Sequence, residues 1–105
     1  MLKDMGALFK QAKEMQSKMT EMQESLARQK VDVSVGGGMV QVTANGNSEI
    51  LSVKIEEELI NMQDKAILED LLVGAMNEAM RKVEELKKTE MAKITGGMKI
   101  PGLFT

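Results

Sequence analysis

Cysteine, histidine, tryptophan and tyrosine are absent from this chain of 105 residues, and proline occurs once. Without cysteine no disulfide framework or zinc-thiolate site can form, and without histidine the commonest general base and metal ligand is missing. A Ser-His-Asp triad is excluded within the chain. Phe9 and Phe104 are the only aromatic residues, too few for a platform that stacks single-stranded bases. The near-apolar run from Ile67 to Met76 is broken by Glu69 and Asp70, and the opening Met-Leu-Lys-Asp-Met-Gly lacks the apolar stretch of a secretory signal. The expectation is a cytoplasmic protein with no membrane association. A chain this short reads as one domain, residues 1–105, burying roughly two-thirds of its unfolded surface.

What is present is strong periodicity. Apolar residues fall at Met5, Leu8, Ala12, Met15, Met19, Met22 and Leu26, in alternating steps of three and four. That is the narrow a/d seam of a heptad, which asks for a partner helix along its length. A helix over residues 4–29 is about 39 Å long at 1.5 Å per residue, too long for a core this small to cover. Part of it should project as an arm or pack on another long helix, from this chain or a second copy.

From Val31 the period falls to two. Val31, Val33 and Val35, then Val40 and Val42, then Leu51, Val53 and Ile55 predict three strands within residues 31–55. Gly36-Gly37-Gly38 divides the first two, and Asn45-Gly46-Asn47, with Asn-Gly suited to a type I′ hairpin, divides the second and third. Glu56-Glu57-Glu58 begins a connector. Asp64 can then cap a second helix over residues 65–93, with an apolar band of Ile67, Leu68, Leu71, Leu72, Ala75, Met76, Ala79, Met80, Val83 and Leu86. The band is widest in its first half, which should cover the sheet. Gly96-Gly97 stops that helix, and Pro101-Gly102 predicts an irregular tail over residues 96–105. The fold class is α+β, in the order αβββα: a three-stranded antiparallel meander flanked by two long helices.

The net charge of −2 conceals an asymmetry. Residues 1–20 carry +2, with Lys3, Lys10, Lys13 and Lys18 against two acids; residues 21–78 carry −7; residues 79–105 carry +3, with Arg81, Lys82, Lys87, Lys88, Lys93 and Lys99 against three acids. The basic ends coincide with the helix portions that the core cannot cover. One reading is a pair of solvated faces laced by Glu14/Lys18, Glu24/Arg28, Glu78/Lys82 and Glu84/Lys88, each worth about 0.3 kcal/mol. The other is that basic arms engage duplex DNA phosphates while the acidic body turns away. On that reading Lys3, Lys10, Lys13, Lys18, Arg81, Lys82, Lys87, Lys88 and Lys93 are the candidate contacts, foremost Lys10, Lys13, Lys82 and Lys88.

Other features read as structural. The glycine triplet lies between strand patterns, whereas phosphate-cradling loops lead from a strand into a helix, so it is read as a turn. The acidic triplet lacks calcium-loop spacing, and no carboxylate pair shows an apolar pocket that would raise its pKa. Neither enzymatic activity, metal nor cofactor is expected. The methionines, eleven in all, are seam and core residues, or else an adaptable protein-binding surface.

Taken together, Phe9-Lys10-Gln11-Ala12 with Met15-Gln16 and Met19, then Gly36-Gly37-Gly38 with Val40 and Val42, Asn45-Gly46, Leu68-Glu69-Asp70-Leu71, Asn77-Glu78-Ala79 and Gly96-Gly97-Met98 with Pro101-Gly102 make the chain resemble the YbaB/EbfC family of small bacterial nucleoid-associated proteins over nearly its whole length. The resemblance implies an αβββα subunit, a tweezer-like homodimer with helical arms, and duplex DNA binding with little sequence preference. Two departures stand out: Glu56-Glu57 where Asp-Pro is frequent, and Gly74 where Ala is usual, the latter costing roughly 1 kcal/mol inside a helix unless close packing requires it. The competing function is an acidic, Met-rich adaptor or chaperone-like dimer that holds other protein partners, favoured by the sequence pI of 5.2.

Overall fold

In the computed structural model, residues 2–95 are described, and the predicted irregular tail lies outside them. Helix α1 (Leu2–Arg28) leads into strands β1 (Lys30–Val35), β2 (Val40–Asn45) and β3 (Ile50–Ile55), a short helix α2 (Glu57–Asn61), and helix α3 (Lys65–Thr95). The strands form one antiparallel sheet in the order β1-β2-β3. The αβββα order is therefore present, with a one-turn helix added where a connector was expected. Its cause is Leu59, which is 1% exposed and anchors the acidic segment to the core.

Pairing of Val33 with Val42, Val35 with Val40, and Val42 with Val53 places the valines on one face of the sheet. Asp32, Ser34, Gln41, Thr43, Ser52 and Lys54 line the shallow hollow of the polar face. The core joins Val33, Val40, Val42 and Ala44 to Leu59 and to Ala75, Ala79 and Val83 of α3. The covering falls mostly to the first half of α3, as expected, where Leu68, Leu71, Leu72 and Met76 also pack on the core, and Val83 carries it one turn further. The small residues Ala75 and Ala79 let the middle of α3 approach the sheet closely, while Ile67 and Val73 remain 37% and 60% exposed. Asp64 caps α3 as expected: its Oδ1 accepts the Ile67 amide at 3.2 Å. A Cβ on Gly74 would meet no heavy atom within 4 Å, so no close packing within the chain explains that glycine.

The glycine triplet is a tight turn. All three residues have positive φ, and a Cβ at Gly36 would press to 3.0 Å from Leu71, so both conformation and packing call for glycine there. The second turn departs from type I′. Neither Asn45 nor Gly46 has positive φ; Ser48 does, at 66°, and the Ser48 amide donates to the Asn45 carbonyl at 3.1 Å. Asn45, 4% exposed, organises this longer loop: its Oδ1 accepts the amides of Asn47 and Glu49, and its Nδ2 donates to Glu49 Oε1 at 2.8 Å.

Candidate nucleic-acid interface

The seam of α1 is used unevenly. Leu26 is 2% exposed and Met22 and Met19 are half-buried, whereas Met15 and Ala12 are exposed, and Leu8 and Met5 are 64% and 68% exposed. The C-terminal half packs within the chain and the N-terminal half projects, giving a molecule with extents of 72 × 26 × 17 Å. What sets the arm's direction is the loop after β2. The Gly46 amide donates to the Leu26 and Gln29 carbonyls at 2.8 and 3.0 Å, and Asn47 Nδ2 donates to the Gln23 carbonyl at 3.2 Å. These bonds fasten the loop to the last turns of α1 and to the residue that follows it. From the other side, Lys87 Nζ of α3 donates to Ser48 Oγ at 2.8 Å. The loop thus ties α1, the sheet and α3 together, a role that Asn-Gly in the sequence signals only as a turn.

The candidate lysines divide by what they touch. Lys10, Lys13 and Lys18 are exposed on the arm, and no carboxylate among the described residues lies within 4.0 Å of them. Lys13 Nζ sits 5.1 Å from the centroid of the Phe9 ring, a cation–π contact that keeps the ammonium at the surface. Lys88 on α3 is likewise exposed and without an ion pair among the described residues, because Glu84 reaches Lys87 at 3.7 Å instead. The side chain of Lys3 lies outside the described ones.

Three other candidates are engaged inside the molecule. Arg81 is held between Glu78 and Glu85, at 2.5 Å from each. Those carboxylates raise the Arg81 pKa further, and the hydrogen bond from Arg81 keeps Glu78 below its ordinary value. Lys82 Nζ is 3.2 Å from the Asp32 carbonyl on β1, and Lys87 serves Ser48. None of the four ion pairs expected from acid-then-base spacing closes to 4.0 Å; Glu78 selects Arg81 over Lys82, and Glu84 selects Lys87 over Lys88. For Lys82 the reason is a contact across the fold: it is drawn to the strand carbonyl of Asp32, which an i,i+4 rule does not see.

Where α1 meets α3 there is an open hollow of about 280 Å³ whose walls include Lys18, Met22, Glu90, Lys93 and Ile94. Here the structure brings together two candidates from opposite ends of the sequence, Lys18 and Lys93. Lys93 Nζ is 3.1 Å from Glu90 Oε1. Lys93 first, and then Gln29 from the end of α1, hold the Glu90 carboxyl below its ordinary range. Among the described residues no group of three or more Asp or Glu could hold a metal ion, and no helix is long and apolar enough to cross a membrane.

The chain matches the YbaB/EbfC DNA-binding family over residues 1–98. It is 48% identical over 100 residues to a nucleoid-associated protein of Desulfotalea psychrophila, covering 95% of this chain and 94% of the relative. It is 47% identical over 97 residues to a nucleoid-associated protein of a Thermoanaerobacter species, covering 92% and 87%. Its fold is similar to the crystal structure of an uncharacterized Helicobacter pylori protein, with a TM-score of 0.78 at 27% identity over 85% of this chain and 94% of that one. A match across nearly the full sequence, joined to the same arrangement of helices and sheet, places this chain in the YbaB/EbfC DNA-binding family.

Proposed function

We propose that this protein is a single-domain, nucleoid-associated homodimer that binds duplex DNA with little sequence preference through its basic helical arms and performs no catalysis. The observation that carries the reading is the exposed basic side of α1, where Lys10 and Lys13 on the projecting half, and Lys18 where α1 reaches α3, have no carboxylate paired to them among the described residues. Phosphate contacts depend on local charge, so a net charge of −2 does not oppose binding. Lys88 extends the set along α3, whereas Lys93 already holds Glu90 at 3.1 Å. Arg81, Lys82 and Lys87 act as structural cations, because DNA would have to compete with partners they already hold. Lysines offer point charges to the backbone and few base-edge patterns, which is the basis for weak sequence discrimination.

Dimerisation is supported by a surface other than the arm seam. Helix α3 lies across β1 and β2 and leaves Ile50, Leu51 and Val53 of β3 at 40%, 47% and 40% exposure. The outer edge of β1 is blunted by Lys82 on the Asp32 carbonyl, a common defence of edge strands. The open apolar edge is therefore β3, and a second copy seated there removes it from water.

A gel-shift titration of duplex DNA at two salt concentrations tests the reading. Four to six phosphates neutralised per dimer give a log-log salt slope of roughly −4 to −5. Failure to bind duplex at low salt would favour the protein-adaptor function instead.

A further inference from the structure

The seam of α1 keeps one repeat along its length, yet only its C-terminal half is covered. Met5, Leu8 and Met15 are 68%, 64% and 36% exposed, and Ala12 is exposed. The covered half packs against a helix, namely α3. An a/d seam is shaped to receive another helix, so the open half continues an interface whose chemistry is already set. It lies on the arm, away from the β3 edge.

We propose that the open half of this seam pairs antiparallel with the same segment of a second copy, joining two DNA-binding units arm to arm. The pairing stands independently of the DNA-binding reading; only its consequence, the bridging of two duplexes, rests on that reading. Antiparallel packing sets each a position against a d position. Leu8 then meets Ala12 of the second copy, and Met5 meets Met15, so large faces small in the central layers. A parallel pair would set Ala12 against Ala12 and leave a gap between the helices.

Charge favours the same register. In the antiparallel pair the flanking g positions place Gln11 beside Gln11 and bring Lys18 to the position that Asp4 holds in the sequence. A parallel pair would set Lys18 beside Gln23, with no charge to meet, and draw together two acidic bodies, each carrying −7 over residues 21–78. Lys10 and Lys13 occupy f and b positions on the outer side of the pair, where phosphates can still reach them. The overlap from Met5 to Met15 spans only about 15 Å at 1.5 Å per residue. Pairing is therefore weak in dilute solution and strengthened when DNA concentrates the arms.

The absence of cysteine makes the test clean. Leu8→Cys and Ala12→Cys proteins are prepared separately, mixed at high concentration with and without duplex DNA, and oxidised with diamide, with Lys10→Cys as the control. The expected product is the mixed 8–12 disulfide, exceeding the 8–8 and 12–12 products and the control, and rising with DNA. A dominant 12–12 product would mean parallel arms and overturn the proposal, as would yields no greater than the control. A double variant, Leu8→Cys with Leu103→Cys, that closed within one chain would show the tail as the occupant and equally overturn it. In a second measurement, Leu8→Glu should keep dimer mass and affinity for a short duplex, but lose capture of a second duplex. Retained capture would overturn the bridging role. If wild-type protein formed the 8–12 disulfide yet bound no duplex, the DNA reading would fail and the arm pairing would stand.

Discussion

The Gly46 amide donates to the Leu26 carbonyl at 2.8 Å, and a Cβ at position 46 would stand 2.7 Å from that same oxygen. Helix α1 thus ends against the backbone of the loop after β2, with no room for a side chain between them. Gly46→Ala should destabilise the fold by about 1–3 kcal/mol, the usual cost of overpacking, lowering the melting temperature by roughly 4–8 °C per kcal/mol. Thermal unfolding followed by circular dichroism checks this. A melting temperature equal to wild type would mean that the arm is anchored elsewhere.

Charge reversal separates the arm lysines from the body. Lys10, Lys13 and Lys88 changed together to Glu should weaken binding to all duplexes alike, flattening the salt slope by about 0.9 for each phosphate left without its lysine. Arg28, Lys30 and Lys54 reversed together should do much less, because they sit in the acidic part of the sequence. Titrations against two unrelated duplexes decide the matter; equal losses from both sets would remove the arm assignment.

The β3 edge is tested by mass. Wild-type protein at low micromolar concentration should sediment at twice the chain mass of 11.6 kDa, and Val53→Asp should shift it toward monomer. Lys10→Glu should leave the dimer intact. A wild-type monomer at that concentration would remove the β3 interface from the account.

Acid should loosen the joint between α1 and α3. Lys93 first, and then Gln29, depress the Glu90 pKa below its ordinary 4.5, so the ionised form is favoured in the folded chain. Its contribution is fully present above the ordinary value and disappears as pH falls through the lowered one. Glu90→Gln should flatten the pH dependence of melting below about pH 4.5 while changing stability above it by at most a small amount. Melting curves from pH 3 to pH 7, values spanning the ordinary glutamate range, provide the check. An unchanged acid limb in Glu90→Gln would show that the carboxylate is not part of the joint.

Much of this architecture was legible from local pattern. The 3.5-residue seam, the alternation of valines, the glycine triplet and Asp64 each report backbone conformation through nearest neighbours, so α1, the strands, the turn and the cap of α3 could be read directly. The charge asymmetry marked basic stretches at both ends of the chain, and of these the structure leaves Lys10, Lys13, Lys18 and Lys88 exposed without an ion pair among the described residues. Tertiary structure decided what periodicity cannot encode: which side chains of an apolar band reach the sheet and which stay open, and which charge a lysine chooses. Ala75 and Ala79 lie in the core because small side chains let α3 come close, while the more apolar Ile67 and Val73 stay open. Lys82 turns to a strand carbonyl that is 50 residues away in sequence, and Asn45-Gly46 forms a longer loop because the end of α1 occupies the space beside it. Both outcomes depend on atoms brought together only by folding, and no local pattern of residues carries that distance information.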